Sequence, residues 1–313
     1  MQDTRVTILI TTKDRLHELK RSLSLLDQLF RKKVPVIICD DGSKDGTSHF
    51  LGANYPEINL IRNIESKGLI FSRNRLLNMV ETDFAISLDD DSNFLSKQPV
   101  SQIINYFNTH QQCAVTSFRI YWSKNTPETT FTSVEPHRVR SFVGCGHAWR
   151  MKAWRDIPDY PAWFNFYGEE DFASYHLLKK NWEVHYLPSV LVQHRVNIKA
   201  RKKEADYITR LRYSLRAGWF LYILFLPVHL IPRKLVYSVW MQLKLKVFKG
   251  DFKALRAIIL ALYDLLIHLP RIFANSKRLN RKEYQKYLGL NETRIYWNPE
   301  KIQVLTSNST NVS

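Results

Sequence analysis

Three consecutive aspartates at the end of an apolar strand constrain this chain more than any other sequence feature. The run 84–88 alternates apolar residues, which is typical of a buried strand, and Asp89, Asp90 and Asp91 follow directly. Carboxylates this close repel one another unless a cation lies among them. Mg²⁺ or Mn²⁺ is the simplest such cation, because it binds carboxylates together with substrate phosphate oxygens. The stretch is a candidate diphosphate site, and it would equally suit a solvated turn that caps the next helix.

Strand and helix patterns alternate along the first part of the chain. Strands are predicted at 6–10, 34–39, 58–61 and 84–88, and helices at 15–30, 45–55 and 68–80. This alternation predicts an α/β, Rossmann-type doubly wound sheet, in which ligands bind at the carboxyl ends of the strands. The loops at 11–13, 40–43 and 89–91 are therefore expected to meet in one crevice. The first loop lacks the glycines of a dinucleotide fingerprint, which excludes a conventional NAD site.

The positive charge of the chain is concentrated near its end. The net charge is +17, and residues 195–290 contain 21 Lys and Arg against 5 Asp and Glu. Helices are predicted at 208–225, 234–248 and 252–269. In 234–248 tryptophan and leucines alternate with lysines, which suits the headgroup region of an anionic membrane. The alternatives are that these helices pack on the first part of the chain or form a homodimer seam.

Neither a spanning helix nor a disulfide framework is predicted. The closest approach to the roughly 18 apolar residues of a spanning helix is 217–231, which Pro227 and His229 interrupt. Three cysteines, Cys39, Cys113 and Cys145, match neither a zinc nor a disulfide pattern, and Cys39 is expected to be buried. These features favour a reducing cytoplasm, with the basic helices held at the inner face of the cytoplasmic membrane.

Five segments in order resemble one known family. They are ILITTKDR, ICDDGSKDGT, KGLIFSRN, SLDDDS and YGEED. Together they resemble the inverting family 2 glycosyltransferases of bacterial cell-surface glycan type over roughly the first 200 residues. The resemblance implies a GT-A-like doubly wound mixed sheet with a C-terminal helical extension. The expected domains are a catalytic domain at 1–200, a basic helical region at 201–290 and a tail at 291–313, disordered from Thr306.

The resemblance also implies how the chain would hold a nucleotide-diphosphate sugar. Thr11 and Asp41 would lie against the base and ribose, and Arg73 near the nucleotide or its diphosphate. The expected donor-binding set is Thr11, Thr12, Asp41, Lys67, Gly68, Arg73, Asp89 and Asp90. The family's two-aspartate motif maps onto Asp89 and Asp91. Asp91 is the preferred ligand of Mn²⁺ or Mg²⁺, and His194 is a further candidate ligand.

A carboxylate near the acceptor hydroxyl would serve as the general base of an inverting displacement. If the segment is read as a local Glu-Asp motif, the base is Asp171. If Trp182 is aligned with the aromatic residue that the family often has after this helix, the base is Glu170. Asp171 is preferred and Glu170 is the alternative. Glu169 suits the charged first turn of a helix. The expected sugar and acceptor pocket comprises Gly144, Gly146, Trp163 and Glu169.

The implied reaction is metal-assisted sugar transfer to a glycan or lipid-linked acceptor. A sugar-phosphate nucleotidyltransferase is the enzymatic alternative, but the loop 11–15 lacks the glycine-rich signature such enzymes need. A non-catalytic basic module that binds nucleic acid or membrane is the third possibility. The ordered acidic clusters argue against specific nucleic-acid binding.

Overall fold

The computed structural model describes residues 5–31, 33–196 and 205–299. The strands are Val6–Thr12 (β1), Val36–Asp40 (β2), Asn59–Arg62 (β3), Phe84–Asp89 (β4), Ser92–Phe94 (β5), Cys113–Trp122 (β6), His137–Arg138 (β7), Gly146–Arg150 (β8) and Glu183–His194 (β9). The α-helices are Leu16–Arg31 (α1), Thr47–Asn54 (α2), Leu69–Asn78 (α3), Pro99–Thr109 (α4), Met151–Trp154 (α5), Glu169–Lys179 (α6), Tyr207–Phe225 (α7), Ile231–Leu245 (α8), Phe252–Ala274 (α9) and Arg281–Leu288 (α10). The predicted domain boundary at 200 and the predicted disordered tail from Thr306 lie outside the described residues.

All of these strands belong to one mixed sheet. The strand order is β3-β2-β1-β4-β8-β6-β9-β5, with β7 paired to β9. Strands β1 to β4 are parallel, since helices cross over between them, whereas β8 runs antiparallel to both β4 and β6. The predicted doubly wound mixed sheet is confirmed.

Helices cover both faces of the sheet, which explains its continuous apolar strands. In β1, Ile8 and Ile10 pack into one core cluster with Leu19 of α1. Leu9 faces the other side and packs with Ile70 of α3. All seven residues of β1 are buried, as expected for a parallel strand between two helical layers.

The C-terminal helices pack on the layer that contains α6. Phe225 of α7 stacks on Tyr175 of α6 with ring centroids 4.7 Å apart, and Phe164 packs edge-on against Phe220 at 5.4 Å. Helix α10 is tied to α6 by the ion pair between Lys179 and Glu283 at 3.0 Å. The predicted C-terminal helical extension is therefore joined directly to the layer that contains α6.

The prediction that no helix is long and apolar enough to span a membrane was wrong for α9. The helix was expected to stop at Leu269, but it continues through Pro270 to Ala274 and reaches 23 residues. By length and composition alone α9 is sufficient to cross a membrane. In the folded chain, 33% of its apolar window is buried against the protein.

Candidate functional site

The carboxyl ends of β1, β2 and β4 lie side by side at one edge of the sheet. Thr11 pairs with Cys39 on one side and with Asp89 on the other. The Thr12 hydroxyl donates to Asp90 Oδ2 at 2.9 Å, and both threonines are buried. The polar loops that follow these strands thus meet in one place, as the alternating sequence pattern predicts.

The Asp41 carboxylate is held by five protein donors. They are the side chains of Asn63 (2.7 Å), Ser66 (2.6 Å) and Ser72 (3.1 Å) and the backbone N–H groups of Lys67 (2.8 Å) and Gly68 (2.9 Å). Burial acts to raise the pKa of Asp41, but the hydrogen bonds from Ser66 and Lys67 outweigh it and leave the pKa below its usual value. Asp41 therefore fixes the loop 66–68 at the start of α3. Gly68 has a φ of 94°, a conformation that favours glycine, and the Lys67 side chain stays exposed.

Arg73 connects the acidic loop after β4 with the acids of α6. Its buried guanidinium contacts Asp89 Oδ1 at 2.8 Å and Glu169 Oε1 at 2.7 Å. It also donates to the Gly144 carbonyl at 3.2 Å and lies 3.7 Å from Glu170 Oε1. Burial acts to lower the pKa of Arg73, but the negative charges of Asp89 and Glu169 outweigh it and raise the pKa above its usual value. The two acid clusters that the sequence singles out are thus joined by one arginine.

Asp91 is fully buried between Arg15 and His194. Arg15 Nη2 lies 2.5 Å from Asp91 Oδ2, and His194 Nε2 lies 2.9 Å from Asp91 Oδ1. Burial acts to raise the pKa of Asp91, but His194 and Arg15 together hold it well below its usual value. For neighbouring Asp90, burial prevails over the attraction of Arg15 at 3.3 Å and raises the pKa to about 7. Of Asp90 and Asp91, Asp91 is therefore the one that keeps its charge.

Residues next to Asp91 could hold a divalent cation. Asp89, Cys145 and His194 each offer a ligand atom, and these atoms lie within 4.8 Å of one another. Among the described residues, the buried His194 Nδ1 has no hydrogen-bond partner. Carboxylate oxygens with an imidazole nitrogen suit Mn²⁺ or Mg²⁺, and the thiol adds a softer donor. The donor set fits a divalent cation held by Asp89, His194 and Cys145, with Asp91 beside them at 2.9 Å from His194 Nε2.

The acids of the YGEED segment form the first turn of α6, at the positive end of the helix dipole. Gly168 precedes the helix with a φ of 88°, and a Cβ at that position would lie 3.1 Å from Ala217 Cβ. Glycine thus lets the turn approach α7 closely.

Glu170 and Asp171 occupy different surroundings. A Cβ on Gly144 would lie 2.2 Å from Glu170 Oε1, so this glycine leaves the space that the Glu170 carboxylate fills beside Arg73. Burial, with the neighbouring charge of Glu169, raises the pKa of Glu170 well above its usual value. The Asp171 side chain is exposed. The protein around this carboxylate nevertheless removes water from it and raises its pKa, against a hydrogen bond with Ser141 that lowers the pKa. In addition to burial, the charge of Asp171 helps to raise the pKa values of Tyr175 on α6, Tyr222 on α7 and Tyr287 on α10.

Two other predicted pocket residues are placed apart from the acids. Gly146 belongs to β8, and a Cβ there would lie 2.7 Å from Ile120 Cδ1, so Gly146 serves packing within the sheet. Trp163 stacks on Phe220 with ring centroids 5.4 Å apart and lies 5.1 Å from the Arg271 guanidinium. It lines a cavity of about 780 Å³ between α3 and α9.

Sequence reasoning missed Arg15 as a member of the site. A cation that follows the first strand by a short loop faces the same sheet edge as the three aspartates, and that placement was the available signal. The role of Cys145 beside the candidate metal ligands was also missed, because β8 is needed to bring it there.

The sheet order and the helical layers define a GT-A fold, and the comparisons identify the family. The sequence model described as Glycosyl transferase family 2 matches residues 7–170, more than half of the chain. The chain belongs to this family. No curated protein sequence matches it.

Solved structures with a similar fold share little sequence with this chain. GalNAc-T7, crystallised with UDP, GalNAc and Mn²⁺, has a TM-score of 0.56 and 13% identity over 71% of this chain and 48% of its own. TarS from S. aureus has a TM-score of 0.51 and 14% identity over 70% of this chain and 40% of its own. The mannosyltransferase PcManGT from Pyrobaculum calidifontis, in complex with GDP-Man and Mn²⁺, has a TM-score of 0.51 and 14% identity over 91% of this chain and 83% of its own. The chain thus spans less than half the length of the first two.

Proposed function

We propose that this chain is an inverting glycosyltransferase that moves a sugar from a nucleotide-diphosphate sugar to a hydroxyl of a glycan or lipid-linked acceptor. The observation that carries the proposal is the position of Arg73. One buried guanidinium contacts Asp89 at 2.8 Å, Glu169 at 2.7 Å and Glu170 at 3.7 Å. The groups suited to the leaving diphosphate and the group suited to activate the acceptor are therefore held next to one another, and we infer a single cleft around them, as a single displacement requires.

The donor nucleotide would lie along the ends of β1 and β2, beside Thr11 and the loop that Asp41 holds. Arg73 is already surrounded by acids, so its role is to position them rather than to bind phosphate. Two cations near the cleft stay open to solvent, Lys67 and Arg15, and the Arg15 side chain is 44% exposed. These two would meet the diphosphate.

A divalent cation, Mn²⁺ or Mg²⁺, would be held by Asp91, Asp89 and His194. When bound, it would supply positive charge to the leaving diphosphate. GalNAc-T7 with UDP and Mn²⁺ and PcManGT with GDP-Man and Mn²⁺ support both the donor class and the metal.

Glu170 is the better candidate for the general base. Its carboxylate lies beside Arg73, which also contacts Asp89 at the end of β4, and this position distinguishes it from Asp171. Burial raises the pKa of both acids, which improves the capacity of either to accept a proton near neutral pH. The exposed Asp171 stands on the side of α6 that faces the C-terminal tyrosines. We therefore assign proton abstraction to Glu170 and keep Asp171 as the second candidate.

A thermal-shift panel tests the proposal. UDP-, GDP- and dTDP-sugars are added to the full chain with and without Mn²⁺. One donor class is expected to raise the melting temperature, and to raise it more with Mn²⁺, since a ligand that binds only the folded state stabilises it. Failure of every donor to stabilise the chain, with the metal and without it, would overturn the proposal.

A further inference from the structure

Helix α9 is apolar on both of its sides. Ala257, Ala261 and Leu265 are buried against the protein, whereas the opposite side exposes large apolar side chains. These are Phe252 (73% exposed), Ile259 (57%), Tyr263 (59%), Leu266 (64%), Ile267 (53%) and Phe273 (57%). No lysine or arginine interrupts the helix between Arg256 and Arg271. A continuous apolar stripe of this kind marks an interaction surface.

Helix α8, which precedes α9, exposes a mixture of aromatic and cationic side chains. Tyr237 is 60% exposed and Trp240 is 50% exposed. The exposed cations of this helix are Arg233, Lys234 and Lys244. The other side of α8 packs on the protein, where Trp219 of α7 donates to Ser238 at 3.0 Å. Tryptophan and tyrosine beside lysine are typical of groups that lie at lipid headgroups.

The charges around these two helices complement an anionic surface. Residues 226–280 contain ten Lys and Arg and two acids, Asp251 and Asp264. Asp251 caps α9 by accepting from the Ala254 N–H at 3.0 Å and also accepts from Tyr207 at 2.6 Å. Asp264 pairs with Arg212 at 2.5 Å. The charge of Asp264 is therefore neutralised inside the protein and Asp251 is engaged in hydrogen bonds, whereas eight of the ten cations are exposed.

The buried ion pairs also determine how α9 can meet a membrane. Asp264 is 1% exposed and contacts Arg216 at 3.2 Å in addition to Arg212. Arg216 in turn donates to the Phe164 carbonyl at 2.5 Å, in the segment that leads to α6. For α9 to cross a bilayer it would have to leave α7 and separate these charges, which is costly in an apolar medium.

We propose that the exposed faces of α8 and α9 dock on an anionic lipid bilayer, with α9 lying in the plane of the interface. Arg216 links α9 to the segment before α6, so docking would also orient the catalytic cleft relative to the membrane. The proposal does not depend on the sugar-transfer reaction, because lipid binding is measured without substrate.

Vesicle binding tests the surface. The full chain is co-sedimented with vesicles of phosphatidylcholine alone and of phosphatidylcholine mixed with phosphatidylglycerol. Binding is expected for the mixed vesicles, and Leu266→Glu should weaken it by about tenfold or more. Phe131→Glu, at a site 71% exposed on the catalytic domain, is the matched control and should leave binding unchanged. Equal binding by the wild type and Leu266→Glu would overturn the proposal.

The same variant separates a lipid surface from a seam between two copies of the chain. Size-exclusion chromatography with light scattering is run on the wild type and Leu266→Glu without lipid. The proposal predicts the same mass for both. A wild-type dimer that Leu266→Glu converts to a monomer, with no vesicle binding by either, would show that this face joins two copies and would overturn the proposal.

Thiol labelling tests whether α9 lies in the plane. The cysteines Cys39, Cys113 and Cys145 are free and buried, so a cysteine placed at either end of α9 is selectively reactive. Lys253→Cys and Ala274→Cys are each expressed and treated, in inverted membrane vesicles, with a membrane-impermeant maleimide. Both are expected to be labelled. Labelling of one end with protection of the other until detergent is added would contradict the in-plane arrangement.

Discussion

Arg73 and Glu169 form a buried ion pair, 2.7 Å between Nη1 and Oε1, that joins α3 to the first turn of α6. Their side chains are 6% and 2% exposed. Because the same guanidinium contacts Asp89 at 2.8 Å, the ion pair also fixes the separation between the end of β4 and the candidate base on α6.

Removing Arg73 should destabilise the fold and the site together. In Arg73→Met, the buried Glu169 loses its cationic partner, and the free energy of unfolding should fall by about 3 kcal/mol. Urea denaturation measures this. Arg75→Met, on the exposed side of the same helix, is the control and should cost under about 1 kcal/mol. Equal stability of the two variants would show that this ion pair does not hold α3 to α6.

Asp41 should make part of the stability depend on pH. Its folded-state pKa lies below its ordinary value, so its contribution is complete above about pH 4, the unfolded pKa, and is lost as the pH falls through the folded pKa. Urea unfolding of the wild type and Asp41→Asn from pH 6 downward should give a difference that shrinks below about pH 4. A difference independent of pH would contradict this.

The parallel half of the sheet could be predicted because its strands are apolar on both faces. The run 34–39 has no polar face, so burial between two helical layers was the consistent interpretation. The antiparallel strand β8 could not be predicted in the same way. Its residues Gly146–Arg150 carry two polar side chains, and its pairing with both β4 and β6 depends on contacts far apart in sequence.

Two proline positions explain errors at the ends of the C-terminal helices. The helix was predicted only from 234, but Pro232 lies in the first turn of α8, where its missing N–H costs nothing, so α8 begins at Ile231. Pro270 lies inside α9, which continues to Ala274. The contact between Arg15 and Asp91 in the acidic site could not be predicted either, because it exists only once β1 and β4 are adjacent.

Metal binding should depend on Asp91 and His194. Mn²⁺ is expected to raise the melting temperature of the wild type, and the increase should disappear in Asp91→Asn and in His194→Ala. Differential scanning fluorimetry over a Mn²⁺ titration measures this. The surface variant Asp83→Asn, at a side chain 62% exposed, should respond as the wild type does. A full Mn²⁺ response in both site variants would place the metal elsewhere.

The raised pKa of Glu170 should appear in the pH dependence of turnover. A general base must be deprotonated, so kcat should increase with pH through a pKa well above the ordinary value of 4.5. Steady-state turnover across a pH series tests this, and Asp171→Asn should leave the acidic limb where it is. An acidic limb that moves with Asp171→Asn would transfer the role to that residue.

A matched pair of substitutions in the first turn of α6 tests the central claim most directly. Donor turnover and Mn²⁺-dependent donor binding are measured for Glu170→Gln and Asp171→Asn, side by side with the wild type. If the acids beside Arg73 form one catalytic cleft, Glu170→Gln loses about 10³-fold in turnover while still binding donor, and Asp171→Asn stays within about threefold of the wild type. Full turnover by Glu170→Gln would contradict the account.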